Sequence, residues 1–122
     1  MTRILIVDDD DQIRDILKRM LERSGYEVME AQNGKKGVAS YRSDPCDLVI
    51  TDILMPEKEG IEMIREMKKE FPDSRIIAMS GGGHVDAKEY LMLAEVLGAN
   101  RTLEKPISYK DLIDTVKDVL GD

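Results

Sequence analysis

The segments ILIVDD (residues 4–9) and DLVITD (residues 47–52) decide the fold. Each is a short, continuous apolar run rich in β-branched residues that stops abruptly at an acid. Runs of this kind, without polar alternation, are typical of strands buried on both faces of a parallel sheet. The two segments therefore predict strands over Ile4 to Val7 and Asp47 to Thr51, with acids at the carboxyl end of each.

Helix-like segments alternate with strand-like segments along the rest of the chain. Apolar residues at helical spacing between positions 13 and 21 predict a first helix, and Gly25 follows it where a left-handed cap is favoured. Five such strand–helix units predict one doubly wound α/β domain over residues 1–122, flavodoxin-like, with parallel strands in the order 2-1-3-4-5. The other predicted strands are Tyr26 to Ala31, Arg75 to Met79 and Thr102 to Glu104, and the other helices are Lys35 to Arg42, a helix lined by Ile61, Ile64 and Met67, one lined by Tyr90, Leu91, Ala94 and Leu97, and a last helix introduced by Ser108 and Asp111.

Composition narrows the function. The chain has 122 residues, 25 acids against 18 bases and a net charge of -7, which disfavours binding to nucleic acid. No apolar run reaches the roughly 20 residues that a membrane helix needs. One cysteine, Cys46, fits a reducing cytosol, and with a single histidine it excludes a zinc site of soft ligands. We expect a cytoplasmic protein whose metal, if it holds one, is a hard cation bound by oxygen.

Polar side chains follow four of the predicted strands. They are Asp8 and Asp9 after strand 1, Asp52 after strand 3, Ser80 after strand 4 and Lys105 after strand 5. Because parallel strands end at one edge of the sheet, these groups are predicted to converge there. Three carboxylates suit Mg²⁺, a carboxylate can attack phosphorus, and a lysine can neutralise phosphoryl oxygens. The pattern predicts aspartyl-phosphate chemistry.

Four motifs in order carry a family resemblance: LIVDDD (5–10), DLVITDILMP (47–56), IIAMSG (76–81) and EKPI (104–107). The chain resembles the receiver domain of a two-component response regulator over its whole length. The resemblance implies that Asp52 is the phosphoacceptor, and that Ser80 and Lys105 meet the phosphoryl group. It also implies a cis peptide before Pro106. The Mg²⁺ site that it implies has Asp9 as the direct ligand of strand 1, Asp8 holding a metal-bound water, and Asp52 and the backbone carbonyl of Leu54 completing it.

The resemblance further implies a switch rather than an enzyme. A sensor histidine kinase or phosphotransfer protein would supply the phosphoryl group, docking beside helix 1 near Ile13 and Leu17. The changing surface would be strand 4, helix 4, strand 5 and helix 5, roughly residues 86–120. No direct contact with nucleic acid or membrane is expected, and the chain would be a monomer or weak dimer. Its target, and whether it stands alone or belongs to a longer regulator, are left open.

Two positions depart from the family pattern. Thr102 stands where receiver domains usually have an aromatic residue, and Gly81 to Gly83 make the loop after strand 4 unusually rich in glycine. We therefore hypothesise activation by rearrangement of the backbone over residues 80–86. Leu54 and Gly82 occupy the positions best placed to orient a hydrolytic water, and neither has a polar side chain, which predicts a long-lived aspartyl phosphate.

Other interpretations compete. Asp8 and Asp10 match the Asp-x-Asp signature of Mg²⁺-dependent phosphatases that use an aspartyl phosphate, but Asp52 and Lys105 would then have no role. A flavodoxin-like binding protein would need aromatic side chains to stack a flavin, and the chain has one Phe, four Tyr and no Trp. The G-x-G-x-x-G nucleotide fingerprint is absent. Asp10 and Asp11 are best explained as the acidic first turn of a helix.

Overall fold

The computed structural model describes residues 1–53, 59–81 and 87–121. Strands and helices alternate strictly along these residues. The strands are β1 (Arg3–Val7), β2 (Glu27–Ala31), β3 (Leu48–Asp52), β4 (Ile76–Ser80) and β5 (Arg101–Glu104), and the helices are α1 (Asp11–Arg23), α2 (Gly34–Ser43), α3 (Glu59–Glu70), α4 (Ala87–Val96) and α5 (Tyr109–Leu120).

All four strand pairs are parallel, and the order across the sheet is β2-β1-β3-β4-β5. The predicted topology is therefore confirmed. The chain reverses direction across the sheet between β1 and β3, so the edge beyond their carboxyl ends is the point where an open α/β sheet binds ligands.

Two apolar layers cover the sheet because successive strand residues point to opposite faces. On one face, strand residues such as Leu5 and Val49 pack against α2, α3 and α4. On the other, residues such as Ile6 and Ile50 pack against α1 and α5. Every residue of β3 and β4 is buried, which explains their unbroken apolar runs.

Local signals set the ends of the helices. Asp10 caps α1, its Oδ1 accepting hydrogen bonds from the backbone N–H of Gln12 at 2.9 Å and Ile13 at 3.3 Å. Ser108 caps α5 by accepting from the N–H of Asp111 at 3.1 Å. Gly25 follows α1 with a positive φ of 91°. The interpretation of Asp10 as a helix-start residue is thus supported.

Each strand differs from its predicted range by one residue at one or both ends, and the differences in β3 and β4 affect the residues at the sheet edge. β3 begins at Leu48 rather than Asp47, whose carboxylate Oδ2 instead accepts from the N–H of Arg3 at 2.8 Å. β4 extends one residue further than predicted, to Ser80. Leu54, Gly82, Gly83 and most of the loop over residues 80–86 lie outside the described residues, so the expectations placed on them are not addressed by the structure.

None of the helices in the described part of the chain combines the length and apolarity that crossing a bilayer requires.

Candidate functional site

Three acids meet at the carboxyl edge of the sheet, where β1 and β3 end. One carboxylate oxygen from each of Asp8, Asp9 and Asp52 lies within 4.8 Å of the others. Asp8 and Asp52 are buried and Asp9 is exposed. Asp8 is fixed further because its Oδ1 accepts a hydrogen bond from the backbone N–H of Asp10 at 2.9 Å. The acids therefore form a small pocket open to solvent on the Asp9 side, which we call the acidic pocket.

Lys105 crosses the sheet edge from the end of β5 to reach this pocket. Its Nζ lies 2.8 Å from Asp8 Oδ2 and 3.2 Å from Asp52 Oδ2. Burial alone lowers the pKa of Lys105, but the hydrogen bond to Asp8 and the charges of Asp52 and Asp8 outweigh it, so the pKa lies above the usual 10.5. The ammonium is therefore held in its charged form between two buried carboxylates.

Ser80 lies at the end of β4, beside the lysine. Its backbone carbonyl accepts a hydrogen bond from the N–H of Lys105 at 2.7 Å, which ties the two positions together. The side-chain Oγ is buried and has no hydrogen-bond partner among the described residues. A buried hydroxyl in that state is poised to bond with a group that enters the site. The peptide bond between Lys105 and Pro106 is cis.

The donor set fits a divalent metal ion. Three carboxylates and one ammonium leave a formal charge of -2 at the acidic pocket. The three acids offer hard oxygen ligands on one side of the pocket, as Mg²⁺ prefers. The exposure of Asp9 leaves room for the waters that Mg²⁺ retains. The predicted fourth ligand, the carbonyl of Leu54, lies outside the described residues.

The structure thus brings together the side chains of four predicted site residues, Asp8, Asp9, Asp52 and Lys105, and joins Ser80 to them through its backbone bond to Lys105. Thr102, at the position that is usually aromatic, lies in β5, and its Oγ1 is 3.4 Å from Glu95 Oε1 of α4. A polar contact at the surface therefore replaces an aromatic side chain at this position.

Two residues near the site were not found from the sequence. Gly60, the second residue of α3, lies so close to the end of β3 that a Cβ there would lie 2.3 Å from the carbonyl oxygen of Asp52. Arg14, in α1, donates from Nη1 to the backbone carbonyl of Asp8 at 2.6 Å. A glycine in the first turn of a helix directly after the strand carrying Asp52 was a usable signal for the first, whereas nothing in the pattern around Arg14 distinguishes it from a surface arginine.

An apolar groove borders the acidic pocket. It has a volume of about 390 Å³ and lies between α1 and the segment that follows β5. Its lining consists of Ile13, Ile16, Leu17, Gly81, Lys105, Pro106 and Ile107. Leu17 is 3% exposed and belongs to the core, whereas Ile16 is 51% exposed. Of these two groove residues, Ile16 rather than Leu17 therefore offers apolar surface that a partner could cover.

Fold and site together define a doubly wound α/β domain with an acid–lysine site at its switch point. The profile of the response regulator receiver domain matches residues 4–117. The chain therefore belongs to the response regulator receiver domain family of two-component signalling systems.

Curated relatives are similar over almost the whole chain. It is 32% identical over 120 residues to the response regulator receiver protein CpdR of Brucella abortus, with 98% of both chains covered. It is 31% identical to the transcriptional regulatory protein CpxR of Klebsiella pneumoniae and 32% identical to the response regulator SaeR of Staphylococcus aureus. The chain spans about half the length of these last two proteins.

Solved structures of receiver domains have the same fold as this chain. A response regulator receiver domain from Clostridium thermocellum superposes with a TM-score of 0.90 at 32% identity, covering 99% of this chain and 95% of the other. A CheY-like receiver domain from Methanospirillum hungatei gives a TM-score of 0.89 at 33% identity, covering 99% and 94%.

Proposed function

We propose that the chain is a phosphoacceptor switch that takes a phosphoryl group on Asp52. The observation that carries the proposal is the position of Lys105 Nζ, which contacts both Asp8 and Asp52 while Asp9 lies in the same pocket. A buried acceptor carboxylate, a fixed cation and two further acids in one pocket are the parts that phosphoryl transfer to an aspartate requires.

The chain's own residues perform three tasks in the transfer. A carboxylate oxygen of Asp52 attacks the phosphorus, so a P–O bond forms while the P–N bond to the donor's histidine breaks and the imidazole nitrogen keeps the electron pair. The ammonium of Lys105 stays close to the incoming phosphoryl oxygens and neutralises their charge. Ser80 supplies a hydroxyl that has no other partner among the described residues.

Asp8, Asp9 and Asp52 would hold Mg²⁺, with the Leu54 carbonyl as the expected fourth ligand. When bound, the ion supplies charge neutralisation at the phosphoryl group. The formal charge of -2 and the all-oxygen donor set of the acidic pocket support this ion over a soft transition metal.

The proposed donor is a sensor histidine kinase or a phosphotransfer protein. The apolar groove beside Lys105 supports docking there, because a partner that covers Ile16 would also lie against the opening of the acidic pocket. Phosphorylation would then change the surface formed by β4, α4, β5 and α5. The backbone hydrogen bond between Ser80 and Lys105 links the site to this surface, because it joins the ends of β4 and β5. Binding of the phosphoryl group shifts the balance between two arrangements of that surface.

Acetyl phosphate labelling with Mg²⁺, read by intact mass, tests the proposal. The wild type should gain one phosphoryl group and Asp52→Asn none. Asp10→Asn is the matched control, since it also converts an acid to an amide next to the pocket while keeping a good helix cap. Equal labelling of Asp52→Asn and wild type would refute the assignment of the phosphoacceptor.

The same preparation separates the switch from a phosphatase. A switch keeps its phosphoryl group and turns over p-nitrophenyl phosphate at most once per chain. Steady release of many equivalents of nitrophenol, abolished in Asp8→Asn but retained in Asp52→Asn, would favour a phosphatase instead.

A further inference from the structure

We infer that Arg14 is a positioning residue of the acidic pocket, which sets the position of the Asp9 backbone by holding the carbonyl of Asp8. This inference rests on the proposed metal site and adds to it a residue that touches neither the metal ligands' side-chain oxygens nor the phosphoryl group.

Arg14 has three polar contacts, of which those to Asp8 and Asp11 are hydrogen bonds and that to Glu30 is a longer ion pair. Its Nη1 donates to the carbonyl of Asp8 at 2.6 Å, its Nη2 pairs with Asp11 in the first turn of α1, and its Nε lies 3.5 Å from Glu30 Oε1 in β2. The side chain is only 13% exposed although arginine usually lies in water. The two hydrogen bonds, the ion pair to β2 and the burial of the side chain restrict the guanidinium, so the carbonyl that it holds is restrained as well.

That carbonyl belongs to the peptide unit joining Asp8 to Asp9. A peptide unit is planar, so fixing its C=O also fixes the N–H and the Cα of Asp9. Asp8 has further restraints: its N–H donates to Ala31 at 3.2 Å, and its side chain bonds to Asp10 and Lys105. Asp9 is exposed, and the structure gives its carboxylate no hydrogen bond or ion pair among the described residues. The peptide that Arg14 holds therefore fixes the Cα from which this carboxylate reaches the pocket.

The charge of Arg14 and its geometry have opposite effects on a bound cation. A positive charge near the pocket repels a divalent ion, so removing it should tighten binding if charge were all that mattered. Loss of an orienting contact behind the ligands should weaken binding, typically by 10–100-fold for such partners. The sign of the change therefore separates the two roles.

Lys18 provides the matched control. It lies one turn further along α1, and its Nζ is 3.7 Å from Glu30 Oε2, so Lys18 and Arg14 both contact Glu30. No contact joins it to the backbone of Asp8 among the described residues. Lys18→Met removes the same charge from the same helix without touching the peptide between Asp8 and Asp9.

Titration with Mn²⁺, following the free ion by electron paramagnetic resonance, tests the inference without any need for phosphorylation. Arg14→Met and Arg14→Gln should each raise the dissociation constant about tenfold. Arg14→Lys, whose ammonium can still donate to the carbonyl, should restore most of the affinity. Lys18→Met should leave the affinity unchanged or tighten it by at most about twofold, since surface charges are screened by salt. Circular dichroism checks that each titrated variant is folded. If either Arg14→Met or Arg14→Gln fails to fold, the titration is read from the other.

Mn²⁺ affinity in Arg14→Met or Arg14→Gln that equals or exceeds that of the wild type would overturn the inference while leaving the metal site intact. Equal weakening in Lys18→Met would overturn it too, because the effect would then follow charge or helix stability. Failure of the wild type to bind Mn²⁺ would remove the proposed metal site itself and the role of Arg14 with it.

Discussion

Replacing Gly60 by alanine should disturb the site more than it disturbs the fold. A Cβ at this position would lie 2.3 Å from the carbonyl oxygen of Asp52 and 2.5 Å from the Cα of Ile53. Both are backbone atoms, so no side chain can swing away to make room. Ordinary contact begins at 3.4 Å, so either α3 or the end of β3 must move by about 1.1 Å.

The size of that movement sets the expected effects. Overpacking of this kind costs about 1–3 kcal/mol of folding free energy. A displacement near 1 Å at a reacting group can cost on the order of 100-fold in rate. We therefore expect Gly60→Ala to unfold at lower urea concentration and to slow acetyl phosphate labelling of Asp52 by at least about tenfold.

Gly25→Ala distinguishes damage to the site from damage to the fold. Gly25 has a positive φ of 91° and open space around its Cβ position, so alanine there is strained without a clash. The strain costs about 1–2 kcal/mol, similar to the Gly60 variant, but it lies at the opposite end of α1 from the acidic pocket. Labelling of Gly25→Ala should match the wild type. The reasoning fails if Gly60→Ala labels at the wild-type rate, or if both variants slow equally.

Three further outcomes follow from the same structure. Contacts with Asp8 and Asp52 outweigh burial and raise the pKa of Lys105 in the folded protein above its usual 10.5. These ion pairs therefore contribute stability that is lost as pH rises through the folded pKa. The free energy of unfolding in urea should fall more steeply above pH 10.5 in the wild type than in Lys105→Arg, and parallel losses would contradict this. Mg²⁺ at 100 times its dissociation constant should stabilise the wild type by about 2.7 kcal/mol, and thermal unfolding of Asp9→Asn should show little of that gain; an equal gain would place the ion elsewhere. Met67 is fully buried, so Met67→Ala should lower the free energy of unfolding by about 2–5 kcal/mol. Acetyl phosphate labelling of the folded variant should be unchanged. A smaller loss of stability would mean that neighbouring side chains fill the cavity.

The sequence was informative where one physical rule applied along a whole segment. The apolar runs before Asp8 and Asp52 required burial on both faces, and burial on both faces required a parallel sheet, so the convergence of the strand ends followed without any knowledge of distances. The first helix was also predictable, because its apolar stripe and the glycine after it both place its end before Gly25.

The missed features are contacts made in three dimensions, although Arg14 and Asp8 are only six residues apart in the sequence and Gly60 and Asp52 only eight. The role of Gly60 arises from the crossing of α3 over β3, and that of Arg14 from the direction in which its side chain turns. Periodicity also could not tell that Leu17 packs into the core while the side chain of Ile16 stays exposed, since both belong to the same apolar stripe of α1. Side-chain direction and close backbone approach are tertiary properties that a local pattern does not contain.

The place of Asp52 in the sheet separates chemistry from communication. In the described sheet its strand is the third of five and is paired on both sides, whereas β5, which carries Thr102, is an edge strand with both terminal residues exposed. Under the proposed function, substitutions on that outer strand would change which partner binds there while the position of Asp52 in the sheet stays the same. Partner choice could then diverge independently of the residue that takes the phosphoryl group.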